Sequence, residues 1–554
     1  MSVFIGYPSF MAYQMMKGKK GNNDGFPSIP GIVARYSAFG LTNEQMTANP
    51  VWKDLTGNGH DLQLKNFSWK GMSGIGGYVV DIDEWGTNST AAYFERNSIK
   101  ITATFKENAP LGLLYHNIKL RQSCVLKVTG IPEGCDAFLD DRLGNRFYMS
   151  EDGVYEIIPS NFLAEALYLS IEKYPERWYG SKLTIEQLPL YPGFILGDGV
   201  DDFAVTEKEL NFEDTYTVYM AFIPFQSNPT RNMILCGANS KKTFSLQYSS
   251  LVYVSFIAGN NHYINANFVN GLNLFACKRN GNNICIKNLL TNKVVTGTCG
   301  DWVENAGLYY LWKNAIYASF AKAAIAGQTI CNGYFSTDED DEKVLDWYKK
   351  QYPWLFPDQA WTTVGKTNED EDRATIANIT GNGNDLVLSN FGFAEGSGYN
   401  EEGEYEGYLV TDGVDDKIVS SVFIMGKDFT IVGDWKFIDN KKSDTGLVKG
   451  SSFYIYNTMT GLDLYINSSS VKNSLDGIKS INAACSDGRA YDRNWNEILA
   501  NTGNVVGSGG TLEVSSSGGR FDRIAFKNLA IYPRILSKDD CIKAYNYLQT
   551  LKAK

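Results

Sequence analysis

Two stretches of this chain place apolar and polar side chains in the same alternation behind the same turn. After Thr56-Gly57-Asn58-Gly59-His60-Asp61 the apolar positions are Leu62 and Leu64; after Thr380-Gly381-Asn382-Gly383-Asn384-Asp385 they are Leu386 and Leu388. A period of two is that of a strand with one buried face. Asn-Gly suits a type I′ hairpin turn, in which both central residues take positive φ, so each stretch is expected to open on a tight hairpin. A second block also recurs, Gly193-Phe-Ile-Leu-Gly-Asp-Gly-Val-Asp-Asp202 and Gly407-Tyr-Leu-Val-Thr-Asp-Gly-Val-Asp-Asp416. Long ordered patterns that occur twice argue for a duplicated β domain. The two blocks lie about 110 residues farther apart in the first copy, room for a further domain.

The remaining patterning fills in this outline. Residues 1–31 form an arm and linker: Phe4, Tyr7, Phe10, Tyr13, Met15 and Met16, then a Gly/Asn/Asp/Pro stretch from Gly21 to Gly31. So short an apolar segment needs cover from a neighbouring domain or another chain, and either an anchoring arm or a plain first strand fits it. The first repeat occupies 32–85 and 191–352. Between its parts, 86–190 carries alternating runs such as Ile99 to Phe105 and Cys124 to Val128, separated by turns at Gly130, Gly144 and Gly153, and reads as a small inserted β-sandwich. The second repeat occupies 360–554. Strands are expected at Tyr216 to Phe222, Phe244 to Tyr248, Phe429 to Trp435 and Lys527 to Tyr532. Each copy closes on a short helix. Ser537 with Asp540 caps one, and the acidic run Asp338 to Glu342, which could suggest a cation site, is preferred at the start of the other as a solvated cap.

Composition narrows the class. With 554 residues the chain divides into roughly three or four domains. Hydrophobic content of 44% and aromatic content of 13% allow sizeable cores, and 53 glycines against 15 prolines fit a turn-rich all-β protein. A net charge of −11 argues against nucleic acid as a partner, since phosphate contacts need a basic surface. The nine cysteines include no CxxC pair, so zinc spacing is absent, and several sit in apolar runs as small core residues. That fits assembly in a reducing cytoplasm. No stretch approaches the roughly 18 apolar residues of a membrane span. A secretory signal is not expected either, because Lys17, Lys19 and Lys20 follow the apolar stretch instead of preceding it.

The order TGNG-x-D-L, then DGVDD before a strand, then an aromatic-rich strand, then a capped terminal helix, resembles the laminin-G-like/concanavalin A-like jelly-roll family. The resemblance covers about 32–85, 191–350 and 360–554. The copies differ at Asp54, which is Asn378 in the second, and at the helix opening, where Ser336-Thr337 replaces Leu536-Ser537. The longer phrases VWKDLTGNGHDLQLKNFSWKGMSGIGGY and KLTIEQLPLYPGFILGDGVDD resemble those of virion-associated proteins of crAss-like and related Bacteroidales phages. The resemblance implies two jelly-roll sandwiches, the first interrupted, in a non-enzymatic virion protein such as a head or tail fibre, decoration or adhesin. It would be assembled in the host cytoplasm and bound to other virion proteins through its arm. A homo-oligomer, a trimer for instance, would cover that arm, and the exposed loops would meet a host-surface or mucosal glycan. The alternatives are a glycan-binding module of a bacterial surface protein and, third, a carbohydrate-active enzyme.

Candidate chemistry is sparse, and no catalytic, cofactor-binding or metal-binding residue is assigned. Asp81 and Asp83 would share one strand face in Val79 to Trp85, but Glu84 would point away, so the pair of carboxyls about 5–5.5 Å apart that a retaining glycosidase needs is not completed by a glutamate. Asp198, Asp201 and Asp202, with Asp412, Asp415 and Asp416, could offer oxygens to Ca2+, which takes about 6–8 of them; hydrogen bonding within a tight Asp-Gly turn is the preferred account. Of the histidines, His60 is matched by Asn384, which argues for a polar turn residue and against imidazole chemistry, and His116 and His262 suggest no triad. Exposed tyrosines and tryptophans could stack on sugar rings, although most at alternating positions should be core.

Overall fold

The computed structural model describes residues 24–553 except 80–81, 88–89, 98, 108–111, 120–123, 158–165, 226–232, 239–243, 249–252, 259–262, 269–270, 301–306, 314–319, 381–382, 422, 440–444, 450–452, 458–460, 467–468, 477–480, 500–507, 515, 518–519, 522 and 552. Most of the expected arm, residues 1–23, therefore lies outside the described residues. The chain forms two compact units, Met1–Gly77 with Tyr191–Pro353, and Tyr78–Leu190 with Trp354–Lys554. The architecture is all-β, with antiparallel sheets paired into jelly-roll sandwiches.

In the first unit, one sheet runs in the order Lys293–Thr298, Asn283–Asn288, Asn273–Asn280, Thr215–Pro224, Lys322–Asn332, Ile195–Asp198, Gly74–Ile75, with Ile32–Ser37 also on Lys322–Asn332. The facing sheet runs Val51–Trp52, Leu62–Lys65, Phe203–Thr206, Tyr309–Leu311, Met233–Ala238, Ser245–Tyr248, Tyr253–Ile257, Tyr263–Asn267. Between them Trp52, Leu62, Leu64, Tyr216, Phe244 and Trp312 form the core. Leu62–Lys65 alternates as its sequence does. Thr215–Pro224 is instead buried almost throughout, because its second face is covered. The cover is the helix Asp338–Gln351, which buries Val344, Trp347 and Tyr348. Gly327 allows this approach: a Cβ there would sit 2.9 Å from the Tyr348 hydroxyl and 2.7 Å from the Tyr36 carbonyl.

The stretch 21–31, expected as a linker, is tied down where it is described. The Asp24 carboxylate holds buried Arg35 at 2.6 Å, and its carbonyl accepts from Trp347 Nε1 at 3.1 Å. Phe26 packs edge-on against Trp347. A covered cation with a carboxylate and an aromatic lid is a docked segment, so the composition signal for a linker was misleading here.

The second unit contains two modules. Between Gly86 and Gln187, one five-stranded sheet has the order Arg146–Met149, Asp136–Asp140, Ala166–Glu172, Gly112–Lys119, Gly86–Thr87. Its partner has the order Gly153–Ile157, Cys124–Thr129, Lys182–Gln187, Lys100–Phe105, Ala92–Arg96. Trp85, Phe105, Leu126, Trp178 and Ile185 fill the space between them. The other module repeats the strand order of the first jelly roll. Glu497–Leu499, Ala490–Asp492, Ile481–Cys485, Thr430–Asp439, Arg523–Tyr532, Leu409–Val410 and Gly398–Tyr399 form one sheet, with Gln359–Thr362 on Arg523–Tyr532. Thr375–Ile376, Leu386–Ser389, Lys417–Ser420, Glu513–Val514, Thr445–Lys449, Phe453–Asn457, Gly461–Ile466 and Ser469–Asp476 form the other. Strand by strand, these two orders match those of the first unit. Within the second unit the modules touch through polar groups: Asn496 Nδ2 donates to Glu151 Oε1 at 2.8 Å, and Val154 N to the Asn494 carbonyl at 3.3 Å. Among the described residues no helix is long and apolar enough to cross a membrane.

Candidate functional site

The two recurring sequence blocks prove to be halves of one device. In the first copy, Asp54 Oδ1 accepts from the amides of Arg35 (3.1 Å) and Thr56 (3.0 Å), and Oδ2 accepts from the His60 amide (3.2 Å). In the second, Asn378 Oδ1 accepts from the amides of Ala360 (3.2 Å) and Thr380 (3.1 Å), while its Nδ2 donates to the Gly383 carbonyl (2.5 Å). Asp61 and Asp385 each accept from the amide of that central residue, at 2.9 and 2.8 Å. A carboxylate or an amide can hold this loop, because the backbone group it meets turns from donor to acceptor.

This loop is not the expected type I′ turn. Gly57 and Gly59 take φ of 79° and 83°, while Asn58 stays outside the positive region, so the Asn-Gly pair does not supply two consecutive positive φ values. A side-chain clamp, not the dipeptide, shapes the loop. In the second copy Gly381 and Asn382 lie outside the described residues. His60 contributes its carbonyl, which accepts from the Tyr36 hydroxyl at 2.5 Å; the Asn384 carbonyl accepts from Trp361 Nε1 at 3.0 Å. The imidazole has no part in that bond. His116 is exposed on Gly112–Lys119, and His262 lies outside the described residues.

The Asp-Gly-Val-Asp-Asp block is bonded to the end of the first block. Asn66 Nδ2 donates to the Asp201 carbonyl and Asn390 Nδ2 to the Asp415 carbonyl, each at 3.0 Å. Both asparagines adopt positive φ, 68° and 69°, a conformation asparagine tolerates better than most residues. Within the turns, Asp198 and Asp412 each accept from the amide two residues on at 2.7 Å. Asp202 and Asp416 accept from the amides of Asp198 and Asp412 at 3.0 and 2.7 Å. Ser397 Oγ donates to Asp416 at 3.1 Å, and Ser73 stands at the same place beside Asp202. Burial pushes Asp202 up to about 7 and Asp416 up to about 6. The three carboxylates of each turn lie within 4.8 Å of one another, close enough to share a cation. Asp198, Asp202, Asp412 and Asp416 nonetheless each accept a backbone amide within their own turn, as an Asp-Gly turn requires without an ion.

Asp83, expected on a strand, lies in the 3-10 turn Ile82–Glu84 instead. Asp81 lies outside the described residues, and only the backbone of Asp83 is described. The acidic run at the first helix is also unlike the expected solvated cap. Thr337 and Asp340 form a capping box, but Asp341 is buried, with its carboxylate 2.8 Å from Lys278 Nζ and 3.2 Å from Lys287 Nζ. The hydroxyl of Tyr219 donates to the same carboxylate at 2.9 Å.

A more promising surface is the outer face of the first jelly roll's second sheet. Phe244, Leu246, Val254, Phe256 and Ala266 point into the core, so Ser245, Gln247, Tyr253, Ser255, Tyr263, Asn265 and Asn267 point away from it. Register joins them into rows: Gln247 opposite Ser255, Ser255 opposite Asn265, and Tyr253 opposite Asn267. Ser245, Gln247 and Ser255 are buried even so, while Tyr263 is 60% and Tyr253 42% exposed. The groups of this face open to solvent are therefore the phenol rings of Tyr253 and Tyr263 and the amides of Asn265 and Asn267, with Ser245, Gln247 and Ser255 covered beneath. Ser255 Oγ lies 2.6 Å from Asn265 Oδ1, and Ser245 Oγ has no hydrogen-bond partner among the described residues. The expected strand Phe244 to Tyr248 supplies Ser245 and Gln247; the strands Tyr253–Ile257 and Tyr263–Asn267 follow it directly in the chain, and the register of all three brings these positions onto one face.

No protein-family model and no curated protein matches this chain. Among solved structures it is similar to the binding domain of botulinum neurotoxin serotype D, at 9% identity and a TM-score of 0.27, over 63% of this chain and 89% of that one. It is also similar to the carbohydrate recognition domain of Emp47p, at 9% identity and a TM-score of 0.19, over 26% and 84%. Domain 4 of AbnA, an extracellular arabinanase of Geobacillus stearothermophilus solved with arabinotriose, matches at 14% identity and a TM-score of 0.20, over 28% and 82%.

Proposed function

We propose that this is a non-enzymatic attachment protein of a phage particle, assembled in the host cytoplasm, and that the outer sheet face of its first jelly roll binds carbohydrate. The phage reading is supported by the sequence phrases around Thr56 and Asp198 and by two jelly rolls of one topology, an arrangement suited to rigid display. The carbohydrate reading is carried by one observation, the exposed rings of Tyr253 and Tyr263 on the same sheet face as the exposed amides of Asn265 and Asn267. A sugar ring offers an apolar C–H face and an edge of hydroxyls; phenol rings take the first, and amide and hydroxyl side chains the second.

Binding of the full chain to an immobilised panel of bacterial-surface and mucosal glycans tests the site. Tyr263→Ala should weaken the retained glycan at least tenfold without moving the melting temperature, and equal retention by wild type and variant would remove this face from the reading. Purified particles test the context: the chain should be detected in them, and its absence would end the phage assignment.

A further inference from the structure

The two jelly rolls fasten their terminal helices to the sheet at equivalent positions by different chemistry. Thr217 and Thr430 are equivalent: each hydroxyl accepts from an amide just before the helix, that of Ser336 or Leu536, and donates to the Tyr334 or Arg534 carbonyl. The residue paired with Thr217 on the neighbouring strand is Lys278, and the one paired with Thr430 is Cys485. On the helices, Asp341 follows its N-cap Thr337 by as many residues as Cys541 follows its N-cap Ser537. Where the first copy places the buried Lys278–Asp341 ion pair at 2.8 Å, the second places Cys485 and Cys541. Both cysteines are fully buried, and their side chains interact with each other. The Thr430 hydroxyl, whose single proton goes to the Arg534 carbonyl, also lies 3.6 Å from Cys485 Sγ.

We propose that Cys485 and Cys541 are an oxidation site at which a peroxide closes a disulfide between sheet and terminal helix. Cys485, flanked by Thr430 and Arg489, is the first to react. Cys541 and Thr430 beside it, with Arg489 near, hold Cys485 below the usual thiol range, while Cys541 is raised by Cys485 and by burial. The Cys485 thiolate attacks one peroxide oxygen, giving a sulfenic acid and hydroxide. The Cys541 sulfur then attacks the sulfenic sulfur, forming the S–S bond and expelling the second hydroxide, which leaves as water with the thiol protons. The balance is two thiols and one hydrogen peroxide to one disulfide and two waters. Hydrogen peroxide is small enough to enter when the helix end frays, which a bulky disulfide reagent is not.

The test treats the full chain with hydrogen peroxide, blocks remaining thiols, and maps peptides by mass spectrometry without reduction. A cross-linked peptide containing Cys485 and Cys541, two hydrogens lighter than its parts and abolished by dithiothreitol, is expected. The melting transition of the second unit should rise on oxidation in wild type and stay put in Cys541→Ala. Recovery of both cysteines as free thiols, as separate sulfinic acids or in bonds to other cysteines would overturn the proposal, as would an equal shift in the variant.

Discussion

Asp202 shows how a residue's burial becomes a property that can be measured. Desolvation raises it from 3.8 to about 7, so between about pH 4 and 7 the folded chain holds a proton that the unfolded chain has released. The contribution is therefore fully present below the ordinary carboxyl pKa and is lost as pH rises through the folded value. Asp416, raised to about 6, acts in the same direction over a narrower window. Melting temperature followed from pH 4 to 8 should fall across this range in wild type, and Asp202→Asn should flatten the part that belongs to the first jelly roll. A chelator should move neither curve; a large drop on chelation would mean that the Asp198, Asp201 and Asp202 turn holds a cation after all. The Asp-Gly turns were legible because Asx hydrogen bonding is local. The shifts were not, because they come chiefly from burial, which depends on how the turn packs in the fold, while the Ser73 hydroxyl acts in the opposite direction.

Among the elements, the terminal helices owe their start to local signals and their seat to distant ones. Ser537 accepts from the Asp540 amide at 3.1 Å and Thr337 from the Asp340 amide at 3.2 Å, both capping arrangements readable from a hydroxyl followed three residues later by an acid. What holds the first helix on the sheet is Asp341, which bonds Lys278, Lys287, Tyr219 and Ser336, residues scattered from 219 to 341. Removing the acid strands a buried lysine, so Asp341→Ala should cost about 3–5 kcal/mol, and adding Lys278→Met should recover much of it by replacing the stranded charge with an apolar side chain. Calorimetry of the full chain reads both; additive losses in the double variant would show that the pair does not act as a unit. Central strands follow the same division. Leu386–Ser389 alternates as predicted, whereas Thr215–Pro224 is buried on both faces because a helix covers it.

At the scale of the whole molecule, the chain repeats one topology and places a ten-stranded module between Gly86 and Gln187. Its first described residues are already docked: Asp24 on Arg35, and Phe26 on Trp347. A chain lacking residues 1–23 keeps all of those contacts, so its melting profile should match that of wild type. If the removed segment anchors the protein, the same chain should fail to enter particles; normal incorporation would refute the anchoring role while leaving the fold untouched.

By itself the sequence determined the fold class, the strand periodicities, the recurring blocks and the helix caps, since each follows from spacings of a few residues along one backbone. Only the tertiary structure decided that Asn66 and Asn390 bind the two blocks together, that Ser245, Gln247 and Tyr263 share one face, and that Cys485 and Cys541 occupy the places of Lys278 and Asp341. Asn66 meets Asp201, and Cys485 meets the terminal helix, across long stretches of chain, while the face at 245–267 rests on the register of three consecutive strands. Their register is set by how whole sheets stack, which no local alternation encodes.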